Sequence, residues 1–134
     1  MQISRTRKAV MSLAILIAVA VVSPAHAAIE TPYNTGEVAT AQAKGEPILI
    51  DVAAWWCPVC ASQHSTIKRL VADKRYDKLH IFKLNYDTQK AEWHALGVHR
   101  QATLIAYNGK QEVGRVEYQT DADLIQKLLI STGK

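Results

Sequence analysis

A continuous apolar segment that runs directly into a helix start constrains this chain more than any other feature. Residues 47–54 read PILIDVAA, with a single acid, Asp51, among apolar neighbours. Such a run is typical of a strand buried on both faces of a sheet. Residues 57–72 follow with helical spacing of apolar residues, and the only two cysteines, Cys57 and Cys60, stand at their beginning. The pattern predicts a strand that turns into a helix at Cys57.

The neighbouring segments alternate between helical and extended patterns. Helices are predicted over residues 35–43 and 90–96, each followed by a glycine that favours a helix end. A second central strand is predicted over residues 80–87, which read HIFKLNYD.

The last third of the chain predicts a hairpin followed by a helix. The extended stretches TLIAY and EVGRVEY flank Asn108-Gly109, a strong short signal for a hairpin turn. Thr120, with Asp123 three residues later, resembles a capping box for a helix that ends near Ile130. Together the segments predict an α/β fold with a mixed central β-sheet flanked by helices.

The first 27 residues have the pattern of a secretory signal. Three basic residues precede the apolar run 9–22, and the sequence SPAHA then ends in small residues, which predicts cleavage after Ala27. The apolar run holds 14 residues, whereas a membrane-spanning helix needs roughly 18 to 20. We therefore expect a signal peptide and a periplasmic protein, with a membrane anchor as the alternative.

Removing residues 1–27 leaves 107 residues, which suits one domain (28–134) with a single modest core. The formal charge of +4 falls to +1 without Arg5, Arg7 and Lys8, and no basic stripe is visible. Charge therefore gives no support to nucleic-acid binding. Two cysteines are too few for a disulfide-dense scaffold, and a bridge closing so short a loop stabilises little. Reactivity is the leading explanation of the pair.

The helix start favours a thiolate at Cys57, because unpaired N–H groups and a partial positive charge lie there. Cys60, one turn further in, is expected to be more enclosed and to ionise less readily. This inequality makes Cys57 the nucleophile and Cys60 the resolving thiol. Asp51, in a buried strand, is expected to have a raised pKa and to accept the proton of Cys60.

These features resemble the thioredoxin family over nearly all of residues 28–134. The matching stretches are Asp51, Trp56-Cys57-Pro58-Val59-Cys60, Lys83-Leu84-Asn85-Tyr86-Asp87 and the turn Asn108-Gly109. The resemblance implies a thioredoxin fold, a reversible Cys57–Cys60 disulfide, and Lys83 as the partner of Asp51. It also implies disulfide exchange with protein substrates, without a cofactor or a bound metal. We further expect a monomer that works with a membrane or envelope redox partner.

The resemblance also implies a set of substrate contacts, namely Trp56, Pro58, Gln101, Ala102 and Thr103. Ala102 is the largest departure, because the family has a cis-proline at this position, before a threonine. A non-proline cis peptide costs about 2.5 to 4 kcal/mol, so the Gln101–Ala102 bond is expected to be trans. Of the adjacent Trp55 and Trp56, one is expected to pack and the other to lie beside the sulfurs.

Two alternatives remain open on the sequence alone. Cys57, Cys60 and His64 lie at i, i+3 and i+7 of one helix, so two thiolates and an imidazole could bind copper(I) or zinc in an exported carrier. The chain could also be a non-catalytic interaction domain. That reading explains the altered loop, but not an intact dithiol with a buried acid.

Overall fold

The computed structural model describes residues 27–133. The predicted signal peptide, apart from Ala27, lies outside the described residues. No helix within the described part of the chain is long and apolar enough to cross a membrane. In chain order the elements are β1 (Ile29–Pro32), α1 (Thr35–Ala43), β2 (Pro47–Ala53), α2 (Pro58–Leu70), a 3₁₀ turn (Lys74–Tyr76), β3 (His80–Asn85), α3 (Lys90–Ala95), β4 (Thr103–Asn108), β5 (Gln111–Glu117) and α4 (Ala122–Ser131).

The strands form one mixed sheet in the order β1-β3-β2-β4-β5. Strands β1, β3 and β2 are parallel, whereas β4 pairs antiparallel with β2, and β5 pairs antiparallel with β4. β2 lies in the middle of the sheet, which explains why its sequence is an almost unbroken apolar run. The predicted α/β fold with a mixed sheet and flanking helices is confirmed.

The sheet separates two apolar cores. On one face, residues of α1 and α3 pack against strand residues such as Ile50 and Phe82. On the other face, residues of α2 and α4 pack against Leu49 and Ile81. Alternation along β2 places Asp51 on the same face as Leu49, between the sheet and α2. The only acid of the central strand therefore lies in a buried layer, directly below the helix that carries the cysteines.

Polar side chains cap the starts of α1 and α4, where they accept hydrogen bonds from N–H groups of the first turn. Asn34 accepts two of them at α1. At α4 the cap is Asp121, whose carboxylate accepts from the N–H groups of Asp123 and Leu124. The predicted capping box at Thr120 is wrong by one residue, because the Asp carboxylate that follows is an even better N-cap acceptor.

Other boundaries differ from the predicted ones by short distances, and two elements were not predicted. α2 and β3 each end two residues earlier than expected. The 3₁₀ turn and β1 are too short to show a periodic pattern. β1 is a mostly exposed edge strand, held by hydrogen bonds from the Ile29 N–H to the Leu79 carbonyl (2.8 Å) and from the Tyr33 N–H to the Lys83 carbonyl (2.9 Å).

The loop between α3 and β4 contains a strained residue. Ala102 has a φ of 58°, a left-handed conformation that is unfavourable for L residues other than glycine. No cis peptide bond occurs within residues 27–133, so the Gln101–Ala102 bond is trans, as expected. The Ala102 carbonyl accepts from the Tyr118 N–H (2.8 Å) and from Nε2 of Gln63 (3.1 Å). These two hydrogen bonds hold the loop against the cysteine-bearing helix.

Replacing Ala102 by glycine measures the cost of this backbone. Ala106 in β4 is equally buried but has no positive φ, so Ala106→Gly is the matched control that removes the same methyl group. A left-handed conformation costs an L residue about 1–2 kcal/mol that glycine does not lose. We expect Ala102→Gly to be about 1–2 kcal/mol less destabilising than Ala106→Gly in urea unfolding. Equal losses at the two positions would contradict the strained conformation of Ala102.

Candidate active site

The two cysteines lie where β2 ends and α2 begins, and they are joined by a disulfide with Cα atoms 5.3 Å apart. The N–H of Cys57 donates to the carbonyl of Ala54 (3.2 Å), which closes the short turn between strand and helix. Cys57 is the N-cap of α2, with extended backbone angles, and Pro58 follows at the first helical position. Proline suits that position because it needs no hydrogen-bond donor there. The local sequence thus fixes the sulfurs at the helix start.

The electrostatic environment differs between the two sulfurs. The N–H of Cys60 donates to Sγ of Cys57 at 3.1 Å, so Cys57 takes the place of the usual capping oxygen. No acidic residue stands in the first turn of α2. The helix dipole and this N–H group both favour negative charge on Cys57. Both residues are buried, with 3% of Cys57 and 1% of Cys60 exposed.

An apolar environment surrounds the disulfide. The sulfurs pack in a small cluster with Ala54 and Ala102, with Tyr86 at its edge. Low polarity strengthens the interaction between a thiolate and the N–H groups that point at it. Charge that forms on a sulfur here must therefore be stabilised by the helix start.

Asp51 is completely buried, and its Oδ2 lies 2.5 Å from Nζ of Lys83. The pairing of β2 with β3 sets Asp51 directly opposite Lys83, which brings the two side chains together. The other carboxylate oxygen, Oδ1, is buried and has no hydrogen-bond partner within the described part of the chain. One oxygen of the carboxylate is thus held by a cation, and the other keeps free lone pairs.

His64 is a second partner of Asp51, and the sequence did not indicate this contact. Its Nε2 lies 2.7 Å from Oδ2 of Asp51 and 2.9 Å from Nζ of Lys83. The signal available in the sequence was spacing, because His64 lies one helical turn after Cys60 and therefore on the same side of α2. The structure shows that this side faces the buried carboxylate.

The pKa of Asp51 lies below the usual range for an aspartate. Burial raises it, but the hydrogen bond from His64 and the charge of Lys83 together outweigh burial. The expected raised pKa is therefore wrong, because the sequence revealed the buried strand but not both of the carboxylate's partners. Asp51 is ionised at neutral pH.

The residues of the metal-binding alternative make other contacts in this structure. His64 directs Nε2 at Asp51, and the two sulfurs are bonded to each other. Within residues 27–133, no group of three or more His, Cys, Asp or Glu side chains is arranged to hold a metal ion. The sequence spacing predicted that Cys57, Cys60 and His64 lie on one side of α2. In the structure, however, the imidazole of His64 is oriented by its hydrogen bond with the buried Asp51 carboxylate.

Both tryptophans before the cysteines lie at the surface, so the expectation that one of them packs in the core is wrong. Trp55 is 90% exposed. Trp56 is half exposed, and its Nε1 donates to both carboxylate oxygens of Asp87, at 3.2 and 3.1 Å. Together with the exposed Pro58, they form an apolar surface beside the disulfide. A partner protein can reach this surface directly.

The residues of the opposite loop are less accessible. Ala102 and Thr103 are fully buried, and the Thr103 hydroxyl donates to the Arg100 carbonyl at 2.8 Å. Gln101 is the half-exposed member of the predicted contact set in this loop. The buried Gln63 joins this loop to the β5–α4 connection, because its Nε2 also donates to the Gln119 carbonyl at 2.8 Å. Sequence analysis missed Gln63, since a polar residue on a helix usually faces solvent.

A cleft of about 480 Å³ opens beside this site. Its lining includes Asp51, Lys83 and His64, together with Glu30 of β1 and the exposed Trp55. Asp51 itself is inaccessible, whereas the side chains of Lys83 and His64 are 34% and 38% exposed. The buried carboxylate is therefore separated from solvent by these two partners.

Asp51→Asn tests the stabilising effect of the charged cluster. We expect a loss of about 1–3 kcal/mol near neutral pH, because Lys83 and His64 lose their charged acceptor. The pKa of Asp51 in the folded state lies below the unfolded value of about 3.9. The carboxylate's contribution to the free energy of unfolding is therefore complete above about pH 5, and it is lost as the pH falls through the folded-state pKa. Urea unfolding of parent and variant from neutral to acidic pH measures this difference.

The exposed Asp123 provides the control, since Asp123→Asn changes the same charge at the surface. We expect the stability difference for Asp51→Asn to be constant above about pH 5 and to shrink below about pH 4. A variant as stable as the parent at neutral pH would contradict the stabilising role of the cluster.

Comparison with known proteins agrees with this geometry. The sequence pattern of the family described as thioredoxin matches residues 33–131. The chain is similar to a thioredoxin from Griffithsia pacifica, at 34% identity over 91 residues that cover 65% of this chain and 83% of that protein.

Solved structures give the same result. Trxlp from Edwardsiella tarda EIB202 is 40% identical, with a TM-score of 0.71 over 76% of this chain and 98% of its own. A thioredoxin from Malassezia sympodialis is only 16% identical and shows similarity of fold, with a TM-score of 0.70 over 81% of this chain and 93% of its own. The chain belongs to the thioredoxin family, and its Cys57–Cys60 pair makes it a thioredoxin-like thiol–disulfide oxidoreductase.

Proposed function

We propose that this oxidoreductase exchanges disulfides with proteins of the bacterial cell envelope, with Cys57 as the attacking thiol and Cys60 as the resolving thiol. The observation that carries these roles is the hydrogen bond from the Cys60 N–H to Sγ of Cys57 at the start of α2. It favours negative charge on one sulfur of the pair and leaves the other without this stabilisation.

In the reducing direction, the Cys57 thiolate attacks a substrate disulfide and forms a mixed disulfide with one substrate sulfur. The other substrate sulfur leaves as a thiolate. Cys60 then attacks Sγ of Cys57, which releases the second substrate sulfur and restores the Cys57–Cys60 disulfide. The same steps in reverse oxidise a substrate dithiol, so the direction depends on the redox partner.

Asp51 accepts the proton that Cys60 loses in the second step. It is ionised at neutral pH, and its Oδ1 keeps free lone pairs in the protein interior. The lowered pKa makes Asp51 a weaker base, so this carboxylate serves as an efficient proton acceptor only if the proton is passed on from it.

Protein thiols and disulfides are the substrates of the family, and the surface around Cys57 suits such partners. Trp55, Trp56 and Pro58 are exposed next to the disulfide, and aromatic residues are enriched at protein interfaces. We propose that a monomer docks substrates and an envelope redox partner, itself membrane-bound or soluble, on this surface.

The cell-envelope location rests on the sequence of residues 1–27. The basic start, the apolar run and the small residues at Ala25 and Ala27 all match a cleavable signal. Export also places the cysteine pair in a compartment where disulfides persist.

Serine substitutions test the roles of the cysteines. We expect Cys60→Ser to trap substrates as mixed disulfides on Cys57, because resolution is lost, and Cys57→Ser to trap none. Non-reducing gels of envelope extracts, with the double serine variant as control, measure this. Trapping by Cys57→Ser, with none by Cys60→Ser, would reverse the assignment.

Expression of the full chain in a bacterium with a periplasm tests the location. We expect the protein in the periplasmic fraction with Ala28 as its first residue, determined by amino-terminal sequencing. Ala27→Phe is the matched variant, which we expect to be exported but to keep its signal, because a bulky residue blocks cleavage. Uncleaved parent protein in the cytoplasm would contradict export.

A further inference from the structure

Three polar atoms lie close together at the buried carboxylate. No single placement of their protons gives a hydrogen bond between every pair of them. Oδ2 of Asp51 lies 2.5 Å from Nζ of Lys83 and 2.7 Å from Nε2 of His64, and the two nitrogens lie 2.9 Å apart. A lysine ammonium only donates, whereas an imidazole nitrogen either donates or accepts. The contact between Asp51 and His64 can therefore hold its proton on either atom.

Both positions of this proton give an acceptable hydrogen bond. With the proton on Nε2, the imidazole donates to an Asp51 carboxylate. With the proton on Oδ2, a neutral Asp51 donates to the free lone pair of Nε2, while Lys83 still donates to Oδ2. Lys83 cannot take part in the transfer, because a charged ammonium has no lone pair. His64 is thus the partner that can take a proton from Asp51.

The burial of the three residues gives this transfer a direction. Asp51 is completely inaccessible, whereas 38% of the His64 side chain is exposed in the cleft. The charged groups that line the cleft around the imidazole are Asp51 from β2, Lys83 from β3 and Glu30 from β1. Asp51 and Lys83, one carboxylate and one ammonium, contact Nε2, and Glu30 lines the same cleft, so a proton that arrives on His64 is not expelled by net positive charge.

We propose that His64 acts through Asp51 as a positioning residue that carries the proton of the resolution step from the buried carboxylate to solvent. This role rests on the proposed function, in which Asp51 receives the proton of Cys60. It extends that function by adding a proton route that the thiol chemistry alone does not supply.

The proton route operates while a substrate is reduced. Cys60 gives its proton to the Asp51 carboxylate, and its sulfur attacks Sγ of Cys57. The bond between Cys57 and the substrate sulfur breaks, so the substrate leaves as a thiolate and the cysteine pair becomes a disulfide. Once the proton is on Oδ2, Asp51 passes it to the free lone pair of Nε2, in the imidazole tautomer whose own proton is on Nδ1. The imidazolium then loses one proton to water and returns to that tautomer. The substrate thiolate takes up a proton from solvent.

Stopped-flow reaction of the reduced protein with an aromatic disulfide that releases a coloured thiolate separates the two chemical steps. The first release of colour reports attack by Cys57, and the second reports resolution by Cys60. We compare the parent, His64→Gln, His64→Ala, Asp51→Asn and His94→Gln, where His94 is an exposed histidine of α3 that serves as the control. A circular dichroism spectrum that matches the parent, together with a cooperative urea unfolding transition, shows that a variant is folded, and His64→Asn is the second variant should glutamine disturb α2.

We expect His64→Gln to leave the first phase unchanged and to slow the second by about tenfold near neutral pH, less than the ~100-fold that loss of a general base produces in Asp51→Asn. The difference should shrink as the pH rises, because alkaline solution increases the fraction of Cys60 that ionises without a base. His94→Gln should match the parent at every pH. Dissolved imidazole should restore the second phase in His64→Ala, because the cleft admits it, but not in Asp51→Asn.

Each contrary outcome overturns a distinct statement. Normal resolution in His64→Gln and His64→Asn, with slow resolution in Asp51→Asn, would remove His64 from the route and leave the role of Asp51 intact. Normal resolution in Asp51→Asn would remove the proposed role of Asp51, and the route with it. A slow His64→Ala variant that imidazole does not restore, with the same deficit at every pH, would show that His64 only supports the structure.

Discussion

The ionised carboxylate of Asp51, held by Lys83 and His64 beneath α2, is the interaction on which the rest of this site depends. A buried charge is costly unless it is paired and hydrogen-bonded, so its partners must come from elements that the fold brings together reliably. The parallel pairing of β2 with β3 supplies Lys83, and packing of α2 on the sheet supplies His64. The same packing sets the helix start, and therefore Cys57, at the end of β2. The charged cluster and the disulfide are thus two consequences of one strand–helix junction.

The site combines opposite environments within a few residues. The sulfurs lie among apolar neighbours, where charge on Cys57 is favoured by the helix start and by a single N–H group. Asp51, which we propose takes the proton of Cys60, is kept charged by its two partners and is separated from water by them. This division lets one sulfur hold a negative charge while the proton of the other is removed. In the proposed route, protons are exchanged with water at the cleft beside His64 rather than at the disulfide surface.

Much of this arrangement is predictable from the sequence, because it depends on strong local patterns. Each of three local patterns predicts one kind of element: the apolar run of β2, the helical spacing of α2 and the Asn108-Gly109 turn. The resemblance to the family adds the pairing of Asp51 with Lys83. The remaining features depend on contacts between distant segments. The orientation of the His64 ring, the burial of Gln63 under the Ala102 loop and the lowered pKa of Asp51 all follow from how α2 lies on the sheet. Short elements such as β1 carry no periodic signal at all.

The charge state of Asp51 tests this account most directly. Carbon-13 NMR of the side-chain carboxyl groups in the oxidised protein, with Asp51→Asn to assign the signal, follows ionisation of this group alone. The account predicts that the Asp51 signal stays that of a carboxylate through the neutral range and changes only below about pH 3.9, the ordinary value for an aspartate. A midpoint above that value would show that burial outweighs Lys83 and His64, and it would contradict the ionised cluster from which the proton route is derived.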